Sequence, residues 1–209
     1  MRAPARRSLE RSGHPQGGFS LTELMIVVVM VSILASIAMV GFRKYVARAR
    51  TMEAAAMIAE MSGKQQIYFV EFGGYLPLRA DNVTTLPSAD ESPTAFFPLS
   101  PSASTFESSR TAVSVANRAA WPGGWRSVGL RPPDQRLYCT YLLNAGGAGQ
   151  AVPAGIGSAA MGPVAATAPA WFYAIAACNM TGPAGYPANV TKFVLTSGSP
   201  TVRTINLGL

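Results

Sequence analysis

From Leu24 to Phe42 the chain reads Leu-Met-Ile-Val-Val-Val-Met-Val-Ser-Ile-Leu-Ala-Ser-Ile-Ala-Met-Val-Gly-Phe, with no charge. A helix of this length spans roughly 28 Å, close to the hydrocarbon thickness of a bilayer. A cleavable secretory signal would have a shorter apolar core, about 7–15 residues, followed by a small-x-small site. The first such site beyond this run, Ala47-Arg48-Ala49, carries an arginine. The segment is therefore expected to stay attached. Polar residues return at Arg43, but apolar and small ones recur at spacings of three and four: Tyr45, Ala49, Met52, Ala56, Ala59, Gly63, Ile67 and Val70. Arg43, Arg50, Glu53, Glu60 and Lys64 fall mostly off that stripe. The pattern predicts an amphipathic continuation whose apolar stripe is covered by a sheet. One helix from Phe19 to about Phe72 would be roughly 80 Å long, and Gly73-Gly74 would stop it.

Beyond the glycines the periodicity changes. Pro77, Pro87, Pro93, Pro98 and Pro101 break up residues 75–136, and the Ser-rich stretch 100–109 reads as a surface loop. Trp121-Pro-Gly-Gly-Trp125 reads as a turn between aromatic anchors, and local packing is preferred over a ligand platform. Strand signals come late: Leu137–Leu143, Trp171–Ala177 and Lys192–Thr196 are rich in aromatic and β-branched residues. Thr201–Leu207 follows Ser197-Gly-Ser-Pro200, which suggests a terminal hairpin. The Gly/Ala/Pro-rich segment 144–170 reads as an exposed loop. A long helix followed by an antiparallel sheet predicts an α+β fold.

Composition narrows the class. Of 209 residues, 49% are hydrophobic and 13% charged, about half the usual charged share. That favours a membrane-associated or exported chain over a cytosolic enzyme. The net charge is +7. Arg2, Arg6, Arg7 and Arg11 against Glu10 place +3 of it before residue 18. A second basic cluster, Arg43, Lys44, Arg48 and Arg50, sits just past the apolar run, which favours lipid headgroups or filament packing over nucleic acid. Basic residues at both ends leave orientation undecided by the positive-inside rule.

Candidate chemistry is sparse. Cys139 and Cys178 lie outside any C-x-x-C motif; in an exported domain they would form a disulfide, and otherwise stand as two buried thiols. The single histidine, His14, precedes the apolar run. Asp81, Asp90 and Asp134 lack EF-hand spacing, and no Walker, Rossmann or G-x-S-x-G pattern occurs. No catalytic residue, metal site or cofactor is expected, and the chain is not expected to be an enzyme. Asn82, Asn179 and Asn189 open N-x-Thr sequons.

Glu23 stands out. A carboxylate near the start of a spanning helix is costly unless paired or interfacial; at a helix N-terminus the macrodipole favours it. It belongs to a longer pattern. Gly18-Phe19-Ser20-Leu21-Thr22-Glu23-Leu24-Met25-Ile26-Val27-Val28, preceded by a short basic leader, resembles the N-terminus of the type IV pilin and prepilin-like family. Tyr45-Val46-Ala47-Arg48-Ala49-Arg50 and Glu53-Ala54 extend the resemblance, which covers about residues 17–76. It implies cleavage after Gly18 by a membrane prepilin peptidase and N-methylation of the new terminus, Phe19. It also implies that Glu23 neutralises the terminal amine of a neighbouring subunit in the filament. Partners would be copies of the chain and other pilins, the peptidase/methyltransferase, an inner-membrane assembly platform and, before assembly, the lipid bilayer; nucleic acid would be indirect at most. The leader would be cytoplasmic and the head periplasmic, reaching the cell surface in a pilus.

The expected organisation is a leader, 1–18; an assembly helix, 19–42; its amphipathic continuation, 43–74; a loop-rich connection, 75–136; and a sheet with a disulfide-bounded loop, 137–209. Motility, adhesion or DNA uptake would follow from such a filament. A pseudopilin of a type II secretion system is the alternative, and a monomeric membrane-anchored surface or periplasmic binding module the second. Two departures from the pilin pattern stand out: Val40 occupies the place of a common proline, and Ser32 that of a frequent glycine.

Overall fold

A computed structural model describes residues 18–81, 93–98, 113–162, 169–179 and 190–205. The leader before Gly18, the Ser-rich stretch 100–109, the sequons at Asn82 and Asn189 and the last four residues lie outside the described residues. The chain divides into two compact units between Lys44 and Tyr45.

Helix α1 runs from Leu21 to Phe72 without a break at Val40-Gly41. It contains no proline, and two serines of its apolar part are satisfied within the helix. In the first unit, Ser32 Oγ donates to the Val28 carbonyl at 2.7 Å and Ser36 Oγ to the Ser32 carbonyl at 2.9 Å. The hydroxyls thus need no partner outside the helix, which suits them to an apolar surrounding. Every large apolar residue from Leu21 to Phe42 is exposed. Gly73, at φ 71°, ends the helix as expected, its N–H donating to the Phe69 carbonyl at 2.8 Å.

In the second unit four strands form an antiparallel meander: β3 (Thr140–Gly146), β4 (Trp171–Asn179), β5 (Val190–Thr196) and β6 (Ser199–Ile205). Two-residue strands β1 (Val113–Ser114) and β2 (Arg136–Leu137) pair separately. Pleating sends Tyr141, Leu143, Phe172, Ala174, Ala176, Phe193 and Leu195 into one core with Ala54, Met57, Ile58 and Met61 of α1. Leu142, Tyr173, Ile175 and Val194 belong to a second core with Ala95 and Phe96. Helix α3 (Ile156–Met161) contributes Ile156, Ala160 and Met161 to that second layer. Burial on both faces explains why β3, β4 and β5 are buried along their length rather than alternately.

Two expectations are corrected here. The helix does present a stripe to the sheet, but a different one. Tyr45, Met52, Ile67 and Val70 are exposed, Val70 at 86%, as are Ala49, Ala56, Ala59 and Gly63. The buried stripe is Ala54, Met57, Ile58, Met61 and Gln65. Segment 144–170 is not simply an exposed loop: its first residues complete β3, and α3 covers a sheet face. Tyr173 needs Gly157 beneath it, because a Cβ there would sit 2.3 Å from the ring.

Polar side chains fasten this part of α1 to the chain that returns to it. Glu53 Oε1 accepts from the backbone N–H of Tyr138 at 2.9 Å and of Cys139 at 3.2 Å, and from the Tyr141 hydroxyl at 3.0 Å. Glu60 Oε1 accepts the Arg131 N–H. Gln65, fully buried, donates to the Leu76 carbonyl at 2.6 Å and accepts its N–H at 2.9 Å. Burial pushes the Glu53 carboxyl above its ordinary value, against the pull of the Cys139 and Tyr138 amides, the Tyr141 hydroxyl and Arg50. Burial, reinforced by the Glu53 charge and hydrogen bond, keeps the Tyr141 phenol protonated. On the sheet's other side, Arg79 is buried in a two-pronged ion pair with Asp81, at 2.9 and 2.7 Å, and donates to Asn144.

Cys139 and Cys178 are joined in a disulfide with Cα atoms 4.5 Å apart. The ladder brings them together, because their neighbours Thr140 and Ala177 are register partners. The bond ties the start of β3 to the far end of β4. Trp125 lies in the one-turn helix α2 (Gly123–Ser127) and is fully buried. Trp121 donates its indole N–H to the Val115 carbonyl at 2.9 Å. Both indoles pack with Phe97, so the Trp-Pro-Gly-Gly-Trp turn is a packing element.

Candidate functional site

The N-terminal site is built by a helix start. Gly18 and Phe19 lie outside the helix, and Phe19 is 89% exposed. Ser20 caps α1. Its carbonyl accepts the Leu24 N–H at 3.2 Å, the first bond of the helix. Its hydroxyl accepts the Glu23 N–H at 3.2 Å. Glu23 folds back toward it: Oε2 accepts both the Ser20 backbone N–H and the Ser20 hydroxyl, each at 2.9 Å. This reciprocal pairing is a capping box, with serine at the N-cap and glutamate three residues on. It satisfies donors that a helix start otherwise leaves open, and Glu23 sits in the first turn, where the macrodipole favours an anion.

All three N-terminal residues singled out from the sequence, Gly18, Phe19 and Glu23, therefore cluster at one helix start. Cys139 and Cys178 form a separate feature inside the second unit. Sequence reasoning missed Ser20. Its signal is present as Ser20-x-x-Glu23, the spacing of a capping box, embedded in the larger motif.

A non-helical Gly-Phe junction, an acid in the first turn and an unburied apolar helix stand together at the N-terminus. The prokaryotic N-terminal methylation motif matches residues 13–39. Over 58 residues the chain is 40% identical to fimbrial protein EcpC of Eikenella corrodens, covering 28% of this chain and 38% of that protein. Over 70 residues it is 33% identical to the type IV major alpha-pilin of Moraxella bovis, covering 34% of this chain and 43% of that protein. The chain thus spans less than half the length of these relatives. No solved structure matches. The apolar helix and the motif fit membrane anchoring.

Proposed function

We propose that the chain is a structural subunit, major or minor, of a type IV pilus. A prepilin peptidase removes the leader after Gly18, Phe19 is N-methylated, and the subunit moves from the inner membrane into a helical filament. The observation that carries the reading is the juxtaposition at the helix start. An exposed Gly-Phe junction stands just ahead of a charged first turn and an apolar helix exposed on all sides. A Cβ at Gly18 would meet nothing within 4 Å. Among the described residues no packing contact therefore asks for glycine there, whereas a protease gripping the backbone does. The exposed stripe on the second unit, Tyr45, Met52, Ile67 and Val70, gives copies of the chain further apolar surface to cover.

Within this reading Glu23 pairs with the amine of a neighbouring Phe19. A buried amine and a buried carboxylate are each costly alone and tolerable together, and such a pair sets register. Intact-mass analysis of the membrane form tests the processing step. A mature chain beginning at methylated Phe19 supports it; a retained leader in cells with an active peptidase refutes it. Recovery of the chain in sheared surface filaments assigns it to a pilus, and its absence there, with normal processing, turns the assignment toward a secretion pseudopilus.

A further inference from the structure

The capping box at the start of α1 does more than begin a helix. Both hydrogen bonds that Glu23 accepts fall on one oxygen, Oε2, and both come from Ser20. The carboxylate is thereby held in a single orientation, with Oε1 left outside the box. A glutamate side chain that is free must give up rotamer freedom when it pairs; one already held does not. A carboxylate can accept on both oxygens, so the Ser20 bonds and an ammonium on Oε1 are compatible. The box and an intermolecular ion pair can coexist.

We infer that Ser20 is a positioning residue for assembly: it aims Oε1 of Glu23 at the incoming amine of a neighbouring subunit. This deepens the pilus-subunit reading and rests on it. Helix capping alone would make Ser20 replaceable by any residue that starts a helix well. Glycine does so at an N-cap with little loss, but it has no hydroxyl to hold Glu23. Threonine keeps the hydroxyl. Glutamine at position 23 keeps the box, because a capping box accepts Glu or Gln, and removes the charge.

The test compares sheared-filament yield per membrane subunit in full-length Ser20→Ala, Ser20→Gly, Ser20→Thr and Glu23→Gln, with leader removal followed by mass. Ser20→Ala should lower the yield about fivefold, the size of the rotamer freedom that a released glutamate gives up on pairing. Ser20→Gly should fall with it, and Ser20→Thr should return to the wild-type yield. Glu23→Gln should abolish assembly, and adding Ser20→Ala to it should change neither leader removal nor yield. In micelles, the Glu23 side-chain carboxyl resonance should move in Ser20→Gly while the amides after Leu24 stay protected. Wild-type yield in Ser20→Gly, or an unmoved carboxyl resonance, overturns the positioning role while leaving the pilus reading standing. A wild-type chain that keeps its leader or forms no filament overturns both.

Discussion

Replacing Glu53 by alanine isolates the junction between helix and sheet. Three donors converge on Oε1: the Tyr138 and Cys139 amides and the Tyr141 hydroxyl. Tyr141 is fully buried, so its hydroxyl would lose its partner without gaining water, at a cost of about 1–3 kcal/mol. The Cys139 amide is half-buried and the Tyr138 amide exposed, so together they add about 1 kcal/mol. Removing a desolvated carboxylate returns part of this, because burial already holds Glu53 above its ordinary pKa. The net expectation is a loss of about 1–3 kcal/mol. For a unit of this size that lowers the melting temperature by roughly 3–9 °C. Glu53→Gln keeps an acceptor at the same place and should cost less than about 1 kcal/mol.

The pH dependence has a definite sign. A carboxyl whose folded pKa is raised contributes stability that is complete below its unfolded value, near 4.5. That contribution is lost as pH rises through the folded value. Glu53→Gln should therefore flatten the part of the stability curve just above pH 4.5. Near-UV circular dichroism melts of the full chain in detergent, taken across that range, measure both effects. An alanine variant that melts with the wild type, or a glutamine variant as unstable as alanine, would refute the reasoning.

Three further outcomes are expected. Met61→Ala, in the buried stripe, should cost about 2–5 kcal/mol by urea titration, whereas Met52→Ala, 72% exposed, should stay within about 0.5 kcal/mol of wild type; the reverse order would restore the stripe first expected from the sequence. Gly157→Ala should destabilise by about 1–3 kcal/mol in the same titration, because its Cβ lands on the ring of Tyr173, which stacks on Trp171. Serine at both Cys139 and Cys178 should lower stability by about 4 kcal/mol on the chain-entropy model, given their separation of 39 residues; thiol titration of the unfolded wild-type chain should find no free thiol.

The features legible in the sequence were those specified by short-range chemistry. The apolar run, the Gly73 stop and the late strands each announce themselves within a few residues. The orientation of the helix did not. Ala54-Ala55-Ala56 and methionines at 52, 57 and 61 make both sides of α1 apolar, so period alone cannot choose between them. The choice is made by Glu53 and Glu60, whose partners lie 86 and 71 residues further on, and by Gln65, which pairs with Leu76 beyond the helix end. Helix α3 was hidden for another reason. Its six residues, Ile-Gly-Ser-Ala-Ala-Met, have no room for a helical period and sit in a Gly/Ala-rich stretch that resembles a loop. At the N-terminus, recognising the motif as a whole concealed the local job of Ser20.

The Glu53 junction also sets a timetable. Its helix residue is made early, but its partners lie 85–88 residues further on, and the strand that completes this core, with Phe193 and Leu195, comes near the end. At about 5–20 residues per second, the ribosome needs on the order of ten seconds to supply them. During that interval Met57, Ile58 and Met61 lack the sheet residues of their core. The apolar segment Leu24–Phe42 is already synthesised while this half of the helix waits. Such long-range closure is slow and exposes apolar surface, so the chain's most vulnerable moment comes before the last two strands have been made.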